Sequence, residues 1–141
     1  FFYTANLSLK RKILLNNKFD PWFSGYGWED IELGYRLEKK ENLTLYYNKK
    51  AAAEHDHFMS FENFTNRMRS LGESSTNVHR RYPELNVLPS AKKRAVFKLL
   101  SNPLVISLLR PLSKNFYYYA LSKKYFMEGV KKAYNGKRIT K

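Results

Sequence analysis

Hydrophobic and polar positions change rhythm twice along the chain. Phe1 to Leu9 alternates partially, with Phe, Tyr, Thr and Leu, and predicts a strand. Lys10 to Asn16 predicts a short helix that Asn16-Asn17 closes. Lys18 to Gly27 is a loop, punctuated by Pro21, Gly25 and Gly27 and rich in aromatics. Trp28 to Lys40 predicts a helix: Trp28, Ile31 and Tyr35 lie on one stripe, with Leu37 beside it. Its acids, Glu29, Asp30 and Glu32, crowd the first turn, and Lys39 and Lys40 the last, as the helix dipole favours. Leu43 to Tyr47 predicts a strand, Asn48 to Lys50 a turn, and Ala51 to His57 a second extended run.

From Ser60 the period becomes helical. Phe61, Phe64, Met68 and Leu71 share a face, with Ser60 as the N-cap. Tyr82-Pro83 and Leu88-Pro89 break the chain. Three helices are then predicted over 90–101, 103–110 and 113–134, each opened by a Ser or Pro. Tyr117, Leu121 and Tyr125 form a stripe in the last. The longest apolar run, Pro103 to Leu109, is far shorter than the roughly 20 residues of a spanning helix, so no membrane crossing is expected.

Composition sharpens this picture. The 141 residues suit one ordinary domain, and 43% hydrophobic content suffices for a core. The absence of cysteine excludes disulfides, thiolate metal sites and cysteine nucleophiles. The net charge is +14, but residues 1–60 carry only +1 and residues 61–141 carry +13. The acidic chemistry therefore lies early, and the later part is suited to an anionic surface. The opening residues hold no signal peptide, and a start inside a strand-like run suggests a piece of a longer protein.

The candidate chemistry lies between Phe19 and His57. A glycine-hinged aromatic loop delivers Glu29 and Asp30 to a helix N-terminus, and about 25 residues later a strand ends in His55 and His57, whose rings would share one side. Carboxylates with a nearby imidazole make either a metal site or a general acid/base site. Plainer roles compete. First-turn acids suit the dipole, Trp28 suits a core, and Asn6 suits a bond to a neighbouring turn. Arg36 is placed to pair with Glu32 at i, i+4, and Asp20 to form an Asx turn after Phe19.

The string GYGWEDIELGYRL resembles the A-type glycosyltransferases, the inverting family-2 enzymes and their galactosyltransferase-like relatives. TANLSLKRKILLNNKFDPWF upstream and AAAEHDH downstream are similar to flanking elements of that family, so the resemblance covers about residues 4–60. It implies an α/β fold: residues 1–59 as the C-terminal part of a Rossmann-like GT-A catalytic domain, and residues 60–141 as a helical, basic extension. It implies Asp30 as the base that deprotonates the acceptor hydroxyl, with Glu29 as its partner carboxylate. Trp28 and Tyr26 would stack on sugar rings, Gly25 and Gly27 would let the loop close, and Asn6 would lie beside the sugar pocket. His55, with His57 as the alternative, would hold a divalent cation, Mn2+ or Mg2+, facing the diphosphate leaving group.

The family completes that metal site with an Asp-x-Asp motif. This sequence has none: its aspartates are Asp20, Asp30 and Asp56, and it has no glycine-rich phosphate loop. The nucleotide-binding half is thus missing, and these residues are not expected to catalyse alone. The implied partners are a nucleotide-sugar donor and a glycan or lipid-linked acceptor. An anionic membrane surface is a further partner for residues 90–141, at the cytoplasmic, inner face of a membrane. No nucleic acid is expected. The rival readings are a basic membrane- or nucleic-acid-binding module without catalysis, and a metal-dependent hydrolase in which His79 joins His55 and His57.

Overall fold

The computed structural model describes residues 2–23, 26–54, 56 and 58–136. The chain divides into two compact units, Phe1–Phe58 and Met59–Lys141. The first holds a single 3-10 turn (Thr4–Asn6), a short helix α1 (Arg11–Asn16) and α2 (Glu29–Glu41). The second holds α3 (Phe61–Arg81), a 3-10 turn (Pro83–Leu85), α4 (Ala91–Leu100), α5 (Pro103–Leu112) and α6 (Lys114–Gly136).

The expected α/β, Rossmann-like fold is overturned, because the described residues contain helices and no strand or sheet. The physical reason lies in the backbone bonds. A strand exists only where a neighbour pairs with its N–H and C=O groups. Here side chains and local turns take those groups instead. Thr4 N–H donates to the Asp30 carboxylate (3.0 Å), and residues 4–6 wind into a turn. The Ala51 carbonyl accepts from the Asn6 amide (2.7 Å), and Ala51 N–H donates to the Asn48 carbonyl. Leu43 to Tyr47 forms no ladder, and Tyr46 and Tyr47 are about nine-tenths exposed.

The first unit packs on α2. Phe2, Leu33 and Leu37 are buried, with Leu7, Leu9, Ile13 and Leu43 against them. The expected stripe of Trp28, Ile31 and Tyr35 is only half-buried; the true inner face is Glu32, Leu33 and Leu37. Gly34 explains the shift. A Cβ there would sit 2.5 Å from the Phe2 Cβ, so the Phe2 ring occupies the space a side chain would need. Asn42, left-handed at φ 49°, stops α2, and Leu43 N–H bonds back to the Leu37 carbonyl.

The second unit is built on α3 against α6. Phe61 is about half exposed and Phe64 half-buried, and their rings meet Tyr125 and Tyr118. The buried positions of α3 are small: Thr65, Gly72, Ser75, Thr76 and Val78. On α6 they are Ala120, Leu121, Gly129 and Val130. The two helices meet almost backbone to backbone: a Cβ on Gly72 would fall 2.1 Å from the Phe126 carbonyl oxygen, and one on Gly129 2.0 Å from that of Arg69. The hydroxyls of Ser75 and Thr76 bond to carbonyls one turn back, so small polar side chains enter the core satisfied. Two ion pairs flank the crossing, Arg69–Glu128 and Lys132–Glu73.

Ser60 and Ser90 cap α3 and α4. Asn102 caps α5, whose first residue is Pro103. α4 and α5 bend by 69° at this break. No single helix among the described residues is long and apolar enough to cross a membrane, although the bent α4–α5 pair together has the length and composition of a membrane segment.

Two outcomes follow from this packing. Gly129→Ala should cost the second unit about 3 kcal/mol, the upper end for overpacking, because the opposing atoms are backbone. Gly136→Ala, whose Cβ meets nothing within 4 Å, should be nearly neutral; thermal unfolding of both variants checks this. Lys123 lies over the rings of Phe97 (5.1 Å) and Tyr119 (4.4 Å), and burial lowers its pKa below the ordinary lysine value. A lysine with a folded pKa below its unfolded one favours the unfolded chain while charged. Stability should therefore rise with pH between the lowered value and the ordinary one. Carbon-13 NMR of the lysine side chains should show Lys123 losing its proton before the others.

Candidate functional site

The loop before α2 is fixed at its base. The Asn17 amide, buried, donates to the Ile13 carbonyl (3.0 Å) and the Glu41 carboxylate (2.9 Å), joining α1 to the far end of α2. Arg36 pairs with the fully buried Glu32, the i, i+4 partner its spacing predicts. Its Nη2 also donates to the Lys18 carbonyl at 2.8 Å. Asp20 forms the expected Asx turn, its Oδ1 accepting from Trp22 N–H at 2.9 Å. The rings of Trp22 and Phe23 then stack edge to face.

The loop enters α2 through two consecutive residues with positive φ, Gly27 at 101° and Trp28 at 77°. Gly27 adopts this at no steric cost. Trp28 does not: a bulky side chain in the left-handed region is a strained conformation of order 1–3 kcal/mol. Its carbonyl nevertheless accepts the first bond of α2, from Glu32 N–H at 2.8 Å. The turn thereby sets Glu29 and Asp30 as the first two residues of the helix.

The two carboxylates have different surroundings. Asp30 is half-buried; its Oδ2 accepts from both the backbone N–H (3.0 Å) and the hydroxyl (2.9 Å) of Thr4, which fixes the plane of the group. The described residues give its Oδ1 no hydrogen bond. Glu29 is half-buried too, but its Oε2 is fully enclosed and has no hydrogen-bond partner. A buried, unpaired carboxylate oxygen is costly, and native structures seldom leave one without a purpose. Beside Thr4 opens a cavity of about 300 Å3 with Phe2, Leu9, Phe19 and Leu33 among its walls.

The other candidate residues are placed as follows. Tyr26 is exposed and Trp28 half-buried beside the acids. Asn6 is exposed, with its amide committed to the Ala51 carbonyl. Gly25, His55 and His57 lie outside the described residues. Among the described residues no three His, Asp or Glu side chains gather so as to hold a metal ion, and both expected ligands, His55 and His57, lie outside them. His79 lies in the second unit, on α3, with its Nδ1 buried and unpaired. Thr4, which holds Asp30, is absent from the sequence-based candidates. It is 26 residues from Asp30, and no local signal links the two.

No protein-family model, no curated protein and no solved structure matches the chain.

Thr4→Val should remove one donor from the Asp30 carboxylate and cost the first unit about 1 kcal/mol, while Thr4→Ser should restore most of it. Urea titration of the variants measures this. Equal stability of the Val variant and the parent would mean that the bond holds nothing in place.

Proposed function

We propose that the first unit carries the acceptor-activating part of an inverting glycosyltransferase. The observation that carries this reading is the Asp30 carboxylate at the head of α2, fixed through Oδ2 by Thr4 while the described residues give its Oδ1 no hydrogen bond, next to the carboxylate of Glu29. A sugar hydroxyl is a donor that satisfies such an oxygen. The strained Trp28 gives separate support, since a backbone held in a costly conformation marks a turn kept for its geometry. The resemblance of GYGWEDIELGYRL to family-2 enzymes gives the chemistry its direction.

In the proposed reaction, one acceptor hydroxyl donates to Glu29 and is thereby positioned. The reacting hydroxyl passes its proton to Asp30 Oδ1 while its oxygen attacks the anomeric carbon. The carbon–oxygen bond to the nucleoside diphosphate breaks, and the electron pair leaves with the diphosphate. A single base suffices for this one-step displacement with inversion, whereas retention would need a second carboxylate as nucleophile. Thr4 is a positioning residue: it holds the other oxygen of Asp30 so that Oδ1 is the one presented. Trp28 and Tyr26 supply flat faces for the sugar rings. The sequence has neither a phosphate-binding glycine loop nor an Asp-x-Asp, so in this reading nucleotide recognition belongs to further residues of a longer enzyme.

The test uses the complete gene product that contains these residues, assayed with a panel of sugar nucleotides and with glycan and lipid-linked acceptors. Asp30→Asn is expected to reduce transfer by about 10²–10⁴-fold, the span of general-base catalysis, and to spare donor binding. Glu29→Gln should raise the acceptor KM more than it lowers kcat. Full turnover in the Asp30 variant would remove that residue from the chemistry, and no transfer from any donor would end the reading altogether.

A further inference from the structure

A water-facing helix normally carries a polar outer face. α5, with the sequence PLVISLLRPL, does not. Val105, Ile106 and Leu109 are half-buried on its inner side, while Leu104, Leu108 and Leu112 repeat every four residues on the outside, 75%, 67% and 77% exposed. On α4, Val96 and Leu99, spaced three apart, are also more than half exposed. An apolar face of this kind calls for an apolar cover.

The charge around it decides which cover. Residues 90–136 carry ten Lys/Arg against the single acid Glu128. A second copy of this chain would bring the same charge to the same place and be repelled. Between α4 and α6 lies a cavity of about 780 Å3, lined by Arg94, Lys98, Lys124 and Lys131, by the apolar Met127 and Val130, and by Glu128, whose carboxylate pairs with Arg69. Cations beside apolar walls match a molecule that is anionic at one end and hydrocarbon at the other. The α4–α5 pair also has the length and composition of a membrane segment, yet its 69° bend at Asn102-Pro103 denies it a straight span.

We propose that the second unit docks on an anionic lipid bilayer. The outer face of α5 lies in the interface between headgroups and acyl chains, and Arg94, Lys98, Lys124 and Lys131 take lipid phosphates. Both contributions are needed, because apolar burial and attraction to anionic headgroups add in interfacial helices. This inference is independent of the chemistry assigned to Glu29 and Asp30.

The absence of cysteine allows a direct test. Leu108→Cys, labelled with an environment-sensitive fluorophore, is titrated with phosphatidylcholine vesicles, with and without phosphatidylglycerol. The expected result is a blue shift that appears with the anionic vesicles and is weak with the neutral ones. Leu108→Glu in the unlabelled chain should lower vesicle cosedimentation by about tenfold or more, as loss of one buried leucine implies, with its circular dichroism unchanged. Replacing Arg94 and Lys98 by Gln should weaken binding and reduce its salt dependence. The proposal fails if the label stays in water while the chain binds. It also fails if duplex DNA binds as tightly as the anionic vesicles and Leu108→Glu leaves both unchanged, which would assign the basic face to nucleic acid. A concentration-dependent dimer that shields the label without lipid would overturn it as well.

Discussion

The first unit depends on one local absence, the missing side chain of Gly34. It lets Phe2 lie against α2, where it joins Leu33 and Leu37 in the core. With Phe2 seated there, Thr4 comes within reach of Asp30, and its backbone and hydroxyl both engage the carboxylate. The N-terminal segment is therefore both a wall of the core and the orienting arm of the candidate site. Its backbone N–H, which a sheet would have used, is spent on a side chain instead. The same contact that builds the site thus works against strand formation in this segment.

Helices were legible from period and caps. The Ser60 and Ser90 caps, the Pro103 start and the acids opening α2 all act as their chemistry dictates. Faces were less legible than elements. On α3 residue size is no guide to burial: the inner positions belong to Gly72, Ser75 and Thr76, because two helices in backbone contact leave no room for rings there. The strands expected at both ends of the first unit were misread because alternation reports an exposed or half-buried extended segment as readily as a paired one. Pairing depends on a neighbour that local pattern does not encode.

The candidate site was legible in part. Adjacent acids after a glycine turn are visible in sequence, and so are the Arg36–Glu32 pair and the Asp20 turn. What distinguishes Glu29 from Asp30 is not visible there. Both are first-turn acids, yet one is oriented by Thr4 and the other encloses an unpaired oxygen, a difference set by a residue 26 positions away. The outer face of α5 was also hidden. Composition marks residues 90–141 as basic and apolar, but which leucines of α5 stay outside depends on its packing in the folded unit.

The conformation of Trp28 bears on how this site would change over generations. Glycine or asparagine at that position would relax the backbone at once, since both accept positive φ readily. Mutation alone therefore pushes the position toward small residues, and only a use for the indole resists that push. In chains that share this turn, the identity of the residue at position 28 becomes a record of use. A tryptophan kept there at energetic cost points to a demand on the indole, in packing or in binding, and a glycine to the loss of that demand.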